Sequence, residues 1–387
     1  MERAKALHRS MLTFDAHIDV CTEPPPHEDR FSVDRALGGG LCGAALTVHA
    51  TARHISQAAE AQGRKELERR YAIIQGMLST GSARCARTPG EFRRIAAEGQ
   101  FAVVLSLQNA APFAADLAEL AAWARRGVRI LAFNFIGNNQ WSDSARPYPY
   151  FGGDLQSGGL TPLGKQGVQR LNDLGVIVDV SQSSSEAFSD ILATTRAPVI
   201  ASHSDVRALV DTDRNFSDEE LQALKRNGGV IHLVAFGPYL RTPNASVLAQ
   251  LSRLWVDNGL QPPRTMSDFL SLNDVETRGW AEGKFWRFLH EFHEILDLEK
   301  PHATLGDFVA AIDHAVDVIG IDHVGISSDF NHGGGVRGWR DVSQTAHVTA
   351  ALIERGYSDQ QIAKMWSGNF LRVWEQVEQA RAGAFRE

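Results

Sequence analysis

The chain has 387 residues, 43% of them apolar and 22% charged, as expected of a soluble globular protein with a large core. A formal net charge of −7 argues against nucleic acid and anionic membrane as partners. Its three cysteines, Cys21, Cys42 and Cys85, form no disulfide framework and suit a reducing compartment. The N-terminus lacks the apolar run of a signal peptide and no 18-residue apolar segment follows, so a cytoplasmic location is expected.

Strand candidates recur along the chain at Leu12–Val20, Gly43–His49, Phe101–Leu107, Val128–Asn134, Val176–Val180, Pro198–His203, Gly229–Val234 and Val324–Ser328. Most are short, nearly continuous in apolarity and rich in Val, Ile and Leu, the pattern of strands buried on both faces of a parallel sheet. Between them lie helical patterns at Ala52–Leu78, Pro112–Arg126, Pro162–Leu174, Ser185–Ala193 and Asp218–Asn227. Thr161-Pro162 opens one as N-cap and first-turn proline, Gly175 closes it, and Asn227-Gly228-Gly229 closes another. Eight strands alternating with helices predict an α/β fold, a (β/α)8 TIM barrel formed by residues 1–387 as a single domain. Residues 240–304 depart from the alternation. With Trp255, Trp280, Trp286, Phe285, Phe288, His290 and His293 they read as a helical insertion before the last strand, which either covers the site or builds a subunit contact such as that of a homodimer. Ser358–Gln379 reads as two closing helices broken near Gly368-Asn369.

Barrel enzymes of this kind carry their chemistry at the C-terminal ends of the strands. In Thr13–Cys21 side chains alternate faces, so His17 and Asp19 point the same way and can grip one divalent cation, although such a pair can also merely cap a strand. Other strand ends supply Gln108, Asp179 and Gln182, His203, and Ser328-Asp329. An Asp at the last strand, facing a metal, is placed to take a proton from bound water.

Several ordered motifs carry a family resemblance. They are Asp15-Ala16-His17-Ile18-Asp19, Gly159-Leu160-Thr161-Pro162-Leu163-Gly164, Ala197–Ser204, Asp213-Arg214-Asn215, Gly320–Phe330 and Gly368–Val373. On these the chain resembles the membrane (renal) dipeptidase family of zinc peptidases from Asp15 to about Val377. The resemblance implies a metal-dependent amidohydrolase barrel and a dipeptide-like substrate. It also implies two zincs bridged by a glutamate, His17 and Asp19 on the first, His203 and a further histidine on the second. By the same resemblance Asp329 contacts the bridging water and Arg214 receives the substrate carboxylate.

Four positions depart from that pattern. The bridging glutamate, in a Ser-x-Glu-Gly pattern, is replaced in Ser106-Leu107-Gln108-Asn109. The second-metal histidine, in an Asp-Leu-Ser-His pattern, is replaced in Asp179-Val180-Ser181-Gln182. The histidine that steadies the transition-state oxygen aligns with Asn134 or Phe135, and a substrate-side tyrosine with Phe236. A neutral amide is a poor zinc ligand, and one imidazole alone does not hold a zinc. The second site is therefore expected to be weak or empty, and the first to keep one zinc through His17 and Asp19, with Gln108, Asp329 or Cys21 completing it. Two readings follow: a one-zinc hydrolase of small carboxylate-bearing amides (dipeptides or N-acyl amino acids), or a non-hydrolytic member that binds a carboxylate ligand or performs metal-free acid–base chemistry.

Overall fold

The computed structural model describes residues 1–20, 29–51, 55–147, 156–271, 277, 279–297 and 302–383; Cys21 lies outside them. After a first helix α1 (Glu2–Ser10) comes β1 (Phe14–Asp19), followed by α2 (Val33–Gly39), β2 (Gly43–His49) and the long α3 (Gln57–Ser79). A short β3 (Ala83–Cys85) and α4 (Pro89–Ala97) precede β4 (Phe101–Gln108). Then α5 (Leu117–Arg126), β5 (Val128–Ala132), α6 (Pro162–Leu174), β6 (Ile177–Val178), α7 (Ser185–Thr194), β7 (Ile200–Ser204), α8 (Asp218–Asn227) and β8 (Val230–Val234) alternate.

Every ladder is parallel. The strands pair in the order β1-β2-β4-β5-β6 and β7-β8-β9, with β9 at Val324–Ser327. Two seams join the ladders into a ring. At one, the Val180 amide donates to the Ile200 carbonyl (2.8 Å); at the other, Asp19 donates to Phe330 and Asp329 to His17 (both 3.1 Å). Eight of the strands match the expected barrel. The ninth, β3, adds to the flank of β4 through three residues, Ala-Arg-Cys, too few to show a period. Parallel strands covered by helices bury both faces, which is why β1, β2, β4, β7, β8 and β9 are buried at every position and read as apolar runs.

Helix ends follow local chemistry. The Thr161 hydroxyl accepts from the Gly164 amide, Pro162 fills the first turn, and Gly175 takes φ 68° to close α6. Ser217 and Glu220 form a reciprocal capping box on α8, and Gly228 ends it at φ 83°. The expected break near Gly368-Asn369 is instead a π-turn at Lys364–Gly368 joining α15 (Asp359–Ala363) to α16 (Asn369–Gly383). Asn369 stays helical because its amide donates to the Ile321 and Val324 carbonyls, anchoring the turn under β9.

Between β8 and β9 the chain forms α9 (Gly237–Leu240), α10 (Ala245–Asp257), α11 (Met266–Ser271), α12 (Glu282–Asp297) and α13 (Leu305–Ile319). Trp255, Leu251, Phe285, Phe288 and Phe292 build an apolar cluster apart from the main core, and it packs onto Phe135 and Val234 above the barrel. α14 (Ala346–Arg355) follows β9 and packs against α1. Among the described residues no helix is long and apolar enough to cross a membrane.

Candidate metal and substrate site

A cavity of about 580 Å³ opens at the C-terminal ends of the strands. His17, Asp19, Gln108, Phe135, Gln182, His203, Arg214, Phe236 and Asp329 all line it. Of the two residues that the resemblance sets against an oxygen-steadying histidine, Phe135 faces the cavity; the Asn134 amide instead donates to the Ser142 carbonyl (2.8 Å) and braces the loop after β5.

Hydrogen bonds alone satisfy one end of the cavity. Ser202 Oγ donates to Asp179 Oδ2 (2.5 Å), so the 2.7 Å contact between Ser202 Oγ and His203 Nδ1 needs the imidazole as donor. That leaves His203 Nε2 as the acceptor. The Gln182 and Gln108 side-chain amides both place a nitrogen against it, at 3.0 and 3.3 Å. Burial first, then the His17 and Arg214 charges, push the His203 pKa well down, which agrees with a neutral ring. The lone pair a metal would need is thus already engaged by amide donors. Gln182 Oε1 accepts from Arg214 Nε (3.0 Å), and Arg214 also donates to Ser204 Oγ and the His203 carbonyl (both 2.8 Å). Three of the guanidinium's five donors are held in place and two remain for a ligand.

The other end is different. His17 Nε2 stands 3.3 Å from Asp19 Oδ1 and 3.8 Å from Asp329 Oδ1, while its Nδ1 meets Thr47 Oγ1 at 3.3 Å. Two further histidines approach the same carboxylate: His49 Nδ1 lies 3.4 Å from Asp19 Oδ1, and His332 Nδ1 lies 2.8 Å from Asp19 Oδ2. Buried Asp19 Oδ1 and His49 Nδ1 have no hydrogen-bond partner. Burial works against ionising Asp19, but His49, His332 and His17 outweigh it and hold its carboxyl well below the usual range. Burial raises Asp329 to about 6, against the downward pull of His17 and His332. Burial also opposes a charge on His17, yet Asp19 and Asp329 lift its pKa overall.

Local backbone sets these positions. Asp15, buried beneath the rim, accepts from the His17 and Ser328 amides and ties β1 to β9. Asp329 and Asn331 take left-handed φ values of 55° and 68°, which Asp and Asn tolerate better than most residues. The turn they make returns His332 over the end of β1. A Cβ on Gly334 would collide with the Ser328 carbonyl oxygen, so the turn needs glycine there.

Five contributors lie outside the expected set. His49 ends β2 directly opposite Gln108 of β4 in the parallel register, a place the sequence marks only as the last residue of a strand. His332 follows Asp329 by three residues. Arg146 lines the wall in a loop with no periodic signal, and Arg30 and Arg340 add further cations.

Comparison with known proteins agrees with this architecture. The family model described as membrane dipeptidase (peptidase family M19) matches residues 1–385. Dipeptidase tcpJ of Claviceps purpurea is 29% identical over 304 residues, 77% of this chain and 56% of that protein. Rattus norvegicus dipeptidase 3 is 27% identical over 284 residues, 73% of this chain and 46% of the relative. The chain thus spans about half the length of the curated relatives it matches. The crystal structure of the probable dipeptidase PvdM from Pseudomonas aeruginosa superposes with a TM-score of 0.93 at 44% identity, covering 98% of both chains. A Rhodobacter sphaeroides metallo peptidase liganded with a phosphinate mimic of the dipeptide L-Ala-D-Ala shares the fold at 19% identity (TM-score 0.71, 95% and 99% covered). A family match over almost the whole length, on a parallel barrel whose strand ends converge on one polar cavity, makes this chain a member of the membrane dipeptidase family, peptidase family M19.

Proposed function

We propose that the protein is a metal-dependent hydrolase of small carboxylate-bearing amides, dipeptides or N-acyl amino acids, working with one divalent ion (zinc by the family likeness) held at the Asp19 end of the cavity. The observation that carries this reading is the asymmetry of the two ends. At the His203 end, Gln108 and Gln182 satisfy the imidazole with amide hydrogens; at the Asp19 end, a carboxylate oxygen and an imidazole nitrogen are buried without partners. Those orphaned atoms fit a cation, and the donors present are a carboxylate and imidazoles, the set zinc prefers. A bound ion supplies polarisation of the scissile carbonyl and a lower pKa for attacking water.

The chain's own residues do the rest. Asp329, raised to about 6, is a base poised to accept a proton near neutral pH. Arg214, fixed by three hydrogen bonds, keeps two N–H groups for a substrate carboxylate, and Arg146 adds a second cation to the wall. Phe135 and Phe236 give the middle of the cavity an apolar surface. Leu270, Leu289, Phe292 and Leu296, from the helices between β8 and β9, line the cavity and serve as its cover. The barrel with this cover acts as one cytoplasmic unit, and the exposed side of the same segment is where a homodimer contact would form.

A second reading has one specific observation in its favour: the Gln108–His203–Gln182–Arg214 chain is complete without any metal, as in a member that only binds a carboxylate ligand or moves a proton. Elemental analysis of protein purified without chelator or His-tag, paired with a zinc-supplemented hydrolysis assay and Asp329→Asn as control, separates the two. About one ion per chain and turnover abolished by Asp329→Asn support the hydrolase. Metal-free protein that still binds N-acyl amino acids supports the second reading.

A further inference from the structure

We infer that Asp19, His49 and His332 form a metal site of their own, sharing only Asp19 with the His17 and Asp329 group, and that a divalent first-row transition ion of the zinc type is held there. The inference rests on the one-ion reading above and deepens it, by moving the ion away from the His17 and Asp329 pair.

Three observations carry it. The first is convergence. Asp19 presents Oδ1 to His49 Nδ1 at 3.4 Å and Oδ2 to His332 Nδ1 at 2.8 Å, and ligand atoms from all three residues lie within 4.8 Å of one another. With zinc–nitrogen and zinc–oxygen bonds of about 2.0–2.1 Å, two donors on a tetrahedral edge stand about 3.3–3.4 Å apart. The Asp19–His49 pair already has that separation.

The second is lack of satisfaction. His49 is 6% exposed, and its Nδ1 faces Asp19 Oδ1 with neither atom hydrogen-bonded. An unpaired buried polar group is costly, so a fold that keeps two of them facing each other is explained by something that binds both. His17 is less open: Thr47 Oγ1 meets its Nδ1, while its Nε2 stands 3.3 Å from Asp19 Oδ1 and 3.8 Å from Asp329 Oδ1, a rival group that the test below separates.

The third is construction. His332 is brought to Asp19 by a turn whose Asn331 sits at φ 68°, donates to the Asp19 carbonyl (3.3 Å) and accepts from the Arg30 amide (2.9 Å). The turn is thereby pinned to the end of β1. Two imidazoles and one carboxylate leave coordination positions free, and Asp19 and His332 both line the cavity, so an open position faces the substrate space.

The test is zinc affinity of the chelator-stripped full chain by competition with a chromophoric chelator, with the visible spectrum of the Co2+-loaded protein as a second readout. The wild type should retain about one zinc. His49→Ala and His332→Ala should each weaken binding by about 100-fold or more, beyond the roughly 10–100-fold typical of removing an outer-sphere partner. Each should also change the Co2+ spectrum, while His203→Ala leaves both unchanged. Because the His332 side chain is 38% exposed, its truncation tests the site without emptying the core. Zinc retained by both of these variants but lost in His17→Ala and Asp329→Asn would overturn the inference and leave the one-ion reading standing. A stripped wild type that takes up no zinc would overturn both.

Discussion

Restoring the family's two replaced ligands should create a second ion site, and the expected size of the effect can be worked from the cavity. Two dications about 3.5–4 Å apart, the usual spacing of two-metal sites, repel by about 18 kcal/mol at an effective dielectric of about 20. A carboxylate bridging them at about 2 Å from each more than offsets that repulsion, whereas the neutral Gln108 amide offers only a dipole. At the second position His203 Nε2 is covered by the Gln182 and Gln108 nitrogens, at 3.0 and 3.3 Å, so an entering ion must also displace two hydrogen bonds. Gln108→Glu with Gln182→His removes both amide donors, returns the bridging charge and adds an imidazole beside His203. Metal content after desalting should rise by about one ion per chain over the wild type, and either single substitution should give much less, because each leaves one defect in place. Inductively coupled plasma analysis of the four proteins at equal zinc exposure reads this directly. A wild type already carrying two zincs at full occupancy, or a double variant no richer in metal than its parent, would refute the charge argument.

Further outcomes follow from the same geometry. Turnover of unmodified L,L- and L,D-dipeptides should be lower than ordinary peptidase rates by roughly 10⁴ or more if, as the family resemblance implies, the bridging carboxylate, a ligand imidazole and the oxygen-steadying histidine are each replaced at a few kcal/mol apiece; a zinc-supplemented dipeptide panel checks it, and ordinary rates abolished by Asp329→Asn would contradict it. Arg214→Lys keeps the charge but loses the fork, so affinity for an N-acetyl amino acid in calorimetry should fall by about 10–100-fold, the scale of one charged hydrogen bond. Stability should fall in mild acid because of His8, which lies in the core with Nδ1 2.8 Å from Thr349 Oγ1 and its ring against Trp366, burial lowering its pKa from 6.5 to about 4. The folded value is below the unfolded one, so the contribution is complete above pH 6.5 and is lost as the pH falls toward 4, by about 3 kcal/mol in all; denaturant midpoints between pH 7 and 4 for wild type and His8→Gln should converge as the pH drops, and parallel curves would count against the assignment.

The sequence makes the strands and most of the rim legible because those signals are local. The candidate strand Pro198–His203 is an apolar run leading to His203, and α6 announces itself through Thr161, Pro162 and Gly175. Family motifs then place Gln108 and Gln182 in the cavity they line. His49 is not legible by those means. Its own strand shows only that it stands at an end; its partnership with Asp19 depends on β1 and β2 lying side by side in register, Asp19 opposite Thr47, two residues before His49. His332 is hidden for another reason, since it reaches Asp19 only through the left-handed Asp329 and Asn331 backbone. Residue spacing does not specify that fold of the turn. Asn369 misleads in the opposite direction: beside a glycine it resembles a helix stop, and only the carbonyls of Ile321 and Val324 above it keep the helix going.

These placements also fix how the two ends of the cavity relate. From Arg214 a continuous row of contacts runs through Gln182 and His203 to His17, whose ring stacks on His203 at 3.8 Å, and on to Asp19. A ligand with its carboxylate on Arg214 and its amide near Asp19 has to lie along that row. In a two-metal centre the middle of such a row is cationic. Here it is neutral, because His203 is an acceptor of amide hydrogens and its own charge is suppressed by burial. Positive charge is therefore found on the arginines, on His17 and His332, whose pKa values the neighbouring carboxylates raise, and on whatever Asp19 holds, and negative charge on Asp19 and Asp329. A substrate of one carboxylate, an uncharged apolar middle against Phe135 and Phe236, and an amide at the far end matches this distribution group by group. A zwitterionic dipeptide matches it less well, since its free ammonium would have to sit beside any cation bound at Asp19. The cavity's charge pattern thus favours an N-blocked amino acid over an ordinary dipeptide, and relative kcat/KM for N-acetyl-alanine and unblocked alanyl-alanine decides the matter: a preference for the unblocked dipeptide would show that its ammonium finds a partner this distribution does not supply.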